Sequence, residues 1–184
     1  APVRSMQDRL RDLMTGYADM ARRFWSPAFA AALRDLLRRQ TFDVIDLYLE
    51  MTGYLPIIRQ YAPHTMVVYD ALNAEYDLQW RIATRDLRIP ARWPLAAYSI
   101  IQANRLARLE TDLCRSAQHV LACSGADAKK LAVLRHTTPV TVIPNAISVD
   151  SYQAGTPPPA DIAHPALVFT GKMDFRPNVD AALW

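Results

Sequence analysis

From Ser26 onward the chain alternates between two hydrophobic periods. Ser26-Pro27 offers an N-cap followed by proline at the first helical position, and Phe29, Leu33, Leu36 and Leu37 then share one face opposite Arg34, Asp35, Arg38 and Arg39. This predicts a surface helix packed on a sheet, with Asp35 and Arg39 at supportive spacing. Val44 to Leu49 predicts a strand ending at Glu50, residues 52–61 a crossover helix, and Thr65 to Tyr69 a strand closing on Asp70. A helical stretch to about Arg88, a break at Pro90 and Pro94, and a long helix from about Leu95 to Ala117 follow. Leu106, Leu109, Leu113 and Ala117 form the core face of the last.

His119 to Cys123 is an apolar run of strand length. Ser124 follows it, with Asp127 at capping-box spacing, so a helix is expected to start at Ser124 and to stop at His136-Thr137-Thr138-Pro139. Val140 to Ile143 then predicts a strand that Pro144 and Asn145 end abruptly. Strand, helix, strand is a βαβ unit. The whole alternation predicts an α/β fold with a Rossmann-like, doubly wound parallel sheet. Residues 154–165 are proline-rich and aperiodic, as in a linker. Ala166 to Thr170 predicts a fresh strand, Gly171-Lys172 a turn, and Asn178 to Trp184 the opening of a helix. The expected organisation is an incomplete first domain over 1–150, a linker over 151–165 and the start of a second Rossmann-like domain over 166–184.

With 51% hydrophobic residues the 184-residue chain can bury a real core. Its net charge of +3 is too small for a general nucleic-acid binder. Residues 1–40 hold eight Arg against four Asp, a basic surface that could meet phosphate or an anionic leaflet, although a solvated helix face is the simpler reading. Cys114 and Cys123 read as buried, reduced thiols, in keeping with the cytoplasm. No apolar run approaches the roughly 18 residues of a membrane span. The four His are scattered, and no Walker loop, zinc spacing, nucleophile elbow or Asp-x-Asp motif is present, so no metal and no cofactor is expected.

Ligands of parallel sheets bind outside the carboxyl ends of the strands. Those ends carry Glu50, Asp70 with Asn73 and Glu75, Ser124, Asn145, and Gly171-Lys172. Each residue has a local reading, as cap, turn former or solvated charge. Together they suit a polar ligand such as a sugar or a nucleotide.

Several of these residues carry a resemblance. Val142-Ile143-Pro144-Asn145, the Ser124 to Asp127 cap, Asp70-x-x-Asn73-x-Glu75-Tyr76 and above all the run from Phe169 to Ala181 (FTGKMDFRPNVDA) resemble the family 4 glycosyltransferases of the GT-B fold, most of all the bacterial sugar transferases of exopolysaccharide clusters. The likeness covers about residues 26–184. It implies two Rossmann-like domains facing one cleft, and retaining, metal-independent transfer of a hexose from a nucleotide-sugar to a saccharide or lipid-linked acceptor. That places the protein in the cytoplasm, with the inner face of the plasma membrane as its possible surface. By the resemblance Gly171 and Lys172 approach the donor diphosphate, while Glu50, Asp70, Asn73, Glu75 and Ser124 shape the acceptor side. Asn145 sets the hinge. The family's main catalytic carboxylates would lie beyond Trp184, so the chain reads as a fragment, inactive alone. The rival expectations are a nucleotide-sugar epimerase of the same architecture and a non-catalytic scaffold that binds partners or membrane.

Overall fold

The computed structural model describes residues 14, 16–135, 139–151, 165–173 and 176–183. The chain divides into two compact units, Ala1–Asn145 and Ala146–Trp184.

The elements described in the first unit include α1 (Asp19–Arg23) and α2 (Pro27–Arg39). After β1 (Val44–Leu47) come a 3-10 turn (Leu49–Tyr54), α3 (Leu55–Tyr61) and β2 (Met66–Ala71). The crossover to β3 (His119–Ala122) is a helical hairpin of α4 (Glu75–Leu87) and α5 (Trp93–Ser116) with a 3-10 turn, Pro90–Arg92, at its tip. Finally α6 (Gly125–Arg135) leads to β4 (Thr141–Val142). Among the described residues the sheet is four-stranded, entirely parallel and in the order β1-β2-β3-β4. All its carboxyl ends therefore lie along one edge, and the described strands contain no reversal of order.

Side-chain alternation fixes the register. Val67, Tyr69 and Ala71 of β2 and Val120 and Ala122 of β3 point into the core, where Ile58, Leu106, Leu113 and Leu131 meet them. The Ser26 cap forms as expected, its hydroxyl accepting from the Phe29 amide at 3.3 Å, and Arg39 pairs with Asp35 at 2.6 Å. Tyr54 anchors the same corner. Its hydroxyl accepts from the Ser26 amide at 2.7 Å and donates to the Phe24 carbonyl at 2.8 Å, while Trp25 stacks on its ring with centroids 4.8 Å apart. Tyr54→Phe is expected to lower stability by about 1–2 kcal/mol, read as a shifted urea midpoint at constant slope.

The hairpin is closed by small residues. Ala83, Ala96 and Ala103 are fully buried on its seam, and near the tip the buried Asp86 carboxylate lies 3.5 Å from Arg92. At the other end of α5 the exposed carbonyls meet two cations. Arg135 donates to the Cys114 and Gln118 carbonyls at 3.0 and 2.6 Å, and Arg59 donates to the Ser116 carbonyl at 2.5 Å. Guanidinium groups at a helix C-terminus satisfy orphan acceptors and oppose the negative end of the helix dipole.

Four expectations change. Pro94 does not break the chain: it sits in the first turn of α5, where its missing N–H costs nothing. The strand over 140–143 shrinks to Thr141–Val142, because Pro139 and Pro144 flank it and cannot donate to a ladder. Residues 166–170 form no strand among the described residues. Leu167 is fully exposed there, and a strand without a paired neighbour gains neither hydrogen bonds nor burial. Both cysteines are free, as expected, but only Cys114 is buried, its thiol pushed up to about 12 by burial with Glu110 adding. Cys123 is half-buried at the sheet edge.

The second unit contains a 3-10 turn (Val149–Ser151), an extended segment over 166–170, a bend at Gly171 and α7 (Arg176–Ala182). The expected linker over 151–165 lies outside the described residues apart from its two ends, Ser151 and Pro165.

Candidate functional site

The strand-end residues of the first unit converge along the carboxyl edge. Glu50 lies in the 3-10 turn after β1, Asp70 is the penultimate residue of β2, and Asn73 and Glu75 occupy the turn into α4. Tyr48, Glu50, Asp70, Asn73 and Glu75 line one small recess. Asn73 donates its side-chain amide to the Glu75 carboxylate at 3.2 Å. Burial makes Glu75 hold its proton more tightly than usual; the Asn73 bond opposes this, and the charges of Glu50 and Asp127 add to it. The Tyr48 hydroxyl is held up by the charges of Asp70 and Asp46, and Asp46 is itself raised by burial and by Asp70.

Ser124 adjoins this group through its capping partner. Its hydroxyl accepts from the Asp127 amide at 3.1 Å and donates to the Asp127 carboxylate at 2.5 Å. Asp127 reaches further than a capping box requires, accepting from the Ala74 amide at 3.2 Å and so tying the start of α6 to the Asn73–Glu75 turn. Burial works against its charge, but Ser124, Ala74 and Lys130 outweigh it and hold Asp127 below the usual carboxylate range. Lys130 bonds Asp77 at 2.6 Å, a second tie between α6 and α4. Asn145 stands apart from the recess, its carbonyl oxygen accepting from the Cys123 thiol at 3.4 Å across the ends of β3 and β4.

The residue that holds the recess in place is one the strand-end pattern does not reveal. Glu110 is fully buried in α5 beneath the turn. One carboxylate oxygen accepts from the Glu75 amide at 3.0 Å and the Tyr69 hydroxyl at 3.1 Å, and the other accepts from the Tyr76 amide at 2.7 Å. Ala74, the N-cap of α4, has no side-chain oxygen, so Glu110 caps that helix from across the core. Burial pushes its carboxyl up to about 7 against the three bonds that favour its charge. The signal in the sequence is spacing: Glu110 follows Leu106 by four and precedes Leu113 by three, a carboxylate on an apolar stripe.

In the second unit Gly171 and Lys172 lie in an exposed bend. Asn178 of α7 donates to the Lys172 carbonyl at 3.1 Å, and a β-carbon on Gly171 would stand 2.9 Å from that same side-chain nitrogen. A β-carbon there would be accommodated only if the Asn178 side chain moved aside.

A parallel sheet with hydroxyl, amide and carboxylate groups along its carboxyl edge offers a polyhydroxylated ligand both kinds of partner: the carboxylates accept from its hydroxyls, and the Asn73 amide donates. Among the described residues no group of three His, Cys, Asp or Glu is placed to hold a metal ion, and no helix is long and apolar enough to cross a membrane. The model of Glycosyltransferase Family 4 matches residues 10–151, and the chain belongs to that family. The match contains every candidate of the first unit and ends before Gly171. No curated protein and no solved structure matches the chain.

Proposed function

We propose that the chain is part of a GT-B enzyme that transfers a hexose from a nucleotide-sugar to a saccharide or lipid-linked acceptor, with retention and without a metal ion, its first unit the acceptor-side domain and its second the start of the donor side. The observation that carries this is the recess of Glu50, Asp70, Asn73 and Glu75 at the carboxyl edge of a sheet that lies within the family match. These side chains, with Ser124, are the acceptor side of the reading: their oxygens orient the hydroxyl that attacks. Asn145, the last residue of the first unit, is its hinge. Gly171 and Lys172 are its donor side, where N–H groups and an ammonium offset the charge that grows on the departing diphosphate. In the reaction the bond from the anomeric carbon to the diphosphate oxygen breaks, a bond to the acceptor oxygen forms, and the acceptor's proton is released. The activity is placed in the cytoplasm, where nucleotide-sugars are the donors.

The test is release of nucleoside diphosphate from a panel of nucleotide-sugars, with and without saccharide acceptors. Acceptor-dependent release supports transfer, whereas an isomerised nucleotide-sugar formed without acceptor identifies an epimerase instead. For the active donor, Lys172→Ala in the intact enzyme is expected to lower kcat/KM roughly tenfold. An unchanged value removes Lys172 from the donor site.

A further inference from the structure

The α4–α5 hairpin reaches well past the sheet. Glu110 lies level with the Glu75 and Tyr76 amides at the carboxyl edge, and the part of α5 between Glu110 and Ser116 is enough to return the chain to the start of β3. From Glu110 to Trp93 the helix runs on for roughly 25 Å at 1.5 Å per residue. Because α4 starts at that edge and pairs with α5 along its length, the tip stands out on the same side as the recess.

The tip is apolar and cationic. Leu87, Ile89, Trp93 and Leu95 are all large and exposed there, Trp93 and Leu95 by more than half (58% and 55%). The Trp93 indole donates to the Leu87 carbonyl at 3.2 Å, which holds the ring at the very end of the hairpin. Arg85 and Arg88 are exposed beside them, and Arg92 is partly so. From residue 78 to residue 109 the sequence carries six Arg and one acid, Asp86, which is buried against Arg92. That acid holds Arg92, while Arg88 is exposed beside the apolar side chains.

We propose that the tip of the α4–α5 hairpin, centred on Trp93 and Leu95 with Arg88 beside them, docks on an anionic lipid bilayer. Tryptophan with aliphatic neighbours suits the headgroup boundary, and arginines above it meet lipid phosphates. A hairpin end is convex, and a deformable headgroup layer accepts a convex apolar tip better than the close-fitting centre of a protein interface does. The surface rests on the fold alone. Its use, to bring a lipid-linked acceptor toward the recess, rests on the glycosyltransferase reading.

Flotation with phosphatidylcholine vesicles, and with vesicles that also contain phosphatidylglycerol, tests the proposal. The protein is expected to float with the anionic vesicles only, and less at high salt. Arg88→Glu and Leu95→Glu, both at exposed positions, should each weaken flotation on the order of tenfold while thermal melting stays unchanged. No flotation of the unaltered protein, or equal flotation of both variants, overturns the proposal. Nucleotide-sugar turnover on a water-soluble acceptor is measured with the same substitutions in the intact two-domain enzyme and is expected to be equal in all. Loss of that turnover in every protein, the unaltered one included, would count against the glycosyltransferase reading and leave the lipid result standing.

Discussion

Replacing Glu110 by alanine is expected to destabilise the first unit by about 4 kcal/mol, because two buried amides and a tyrosine hydroxyl lose their acceptor and a cavity opens beneath the recess. Urea unfolding followed by circular dichroism measures it. A loss below about 1 kcal/mol would mean that water takes over the cap unaided. Glu110→Gln should cost less, since the amide oxygen still accepts from one N–H, although its NH2 group faces the other. The pair also carries a pH signature. Burial raises the Glu110 carboxyl from 4.5 to about 7, so between those values the folded chain binds a proton that the unfolded chain has released. The contribution is therefore fully present below about 4.5 and is lost as pH rises through about 7, by on the order of 3 kcal/mol. The stability difference between the unaltered protein and Glu110→Gln should show that downward slope; a flat difference would mean that Glu110 is ionised throughout.

Arg135→Leu is expected to cost about 3 kcal/mol, the second-largest effect. The guanidinium is buried and donates to one carbonyl in the last turn of α5 and one just beyond it, and charged donors contribute roughly twice what neutral ones do. Arg135→Lys should recover only part of this, because an ammonium cannot span the Cys114 and Gln118 carbonyls as a planar fork does. Equal stability of the lysine and arginine proteins would show that charge alone, and not the fork, stabilises this helix end.

Where hydrophobic period and local caps agree, the sequence was a reliable guide. Ser26-Pro27 and Ser124 with Asp127 start helices where expected, and the apolar runs at 44–47, 66–71 and 119–122 are adjacent parallel strands. What failed were segments whose state depends on a partner rather than on themselves. Pro94 looks like a break in a linear reading but is a favourable first-turn residue once the helix begins at Trp93. The run at 166–170 has the right side chains for a strand and no described neighbour to pair with. The recess was half legible. Glu50, Asp70, Asn73 and Glu75 follow directly from where strands end, and the structure brings them together; Asn145 meets Cys123 instead, and Gly171 and Lys172 belong to the other unit. Glu110 escaped because its partners are 34, 35 and 41 residues away, so no local pattern announces the cap.

The same helix gives the recess a mechanical property. α5 is clamped at its C-terminal end by Arg59 and Arg135, holds the Glu75 turn through Glu110, and carries Trp93 at its far end. At 1.5 Å per residue the clamp is roughly 9 Å from Glu110 and roughly 35 Å from Trp93. A rod pinned in this way is a lever with its fulcrum at the clamp. Between clamp and tip the rod is also braced, by α4 along its length and by Gln102, which accepts from the Asp19 amide, so a load on the hairpin end is shared among these contacts before it reaches the Asn73–Glu75 turn.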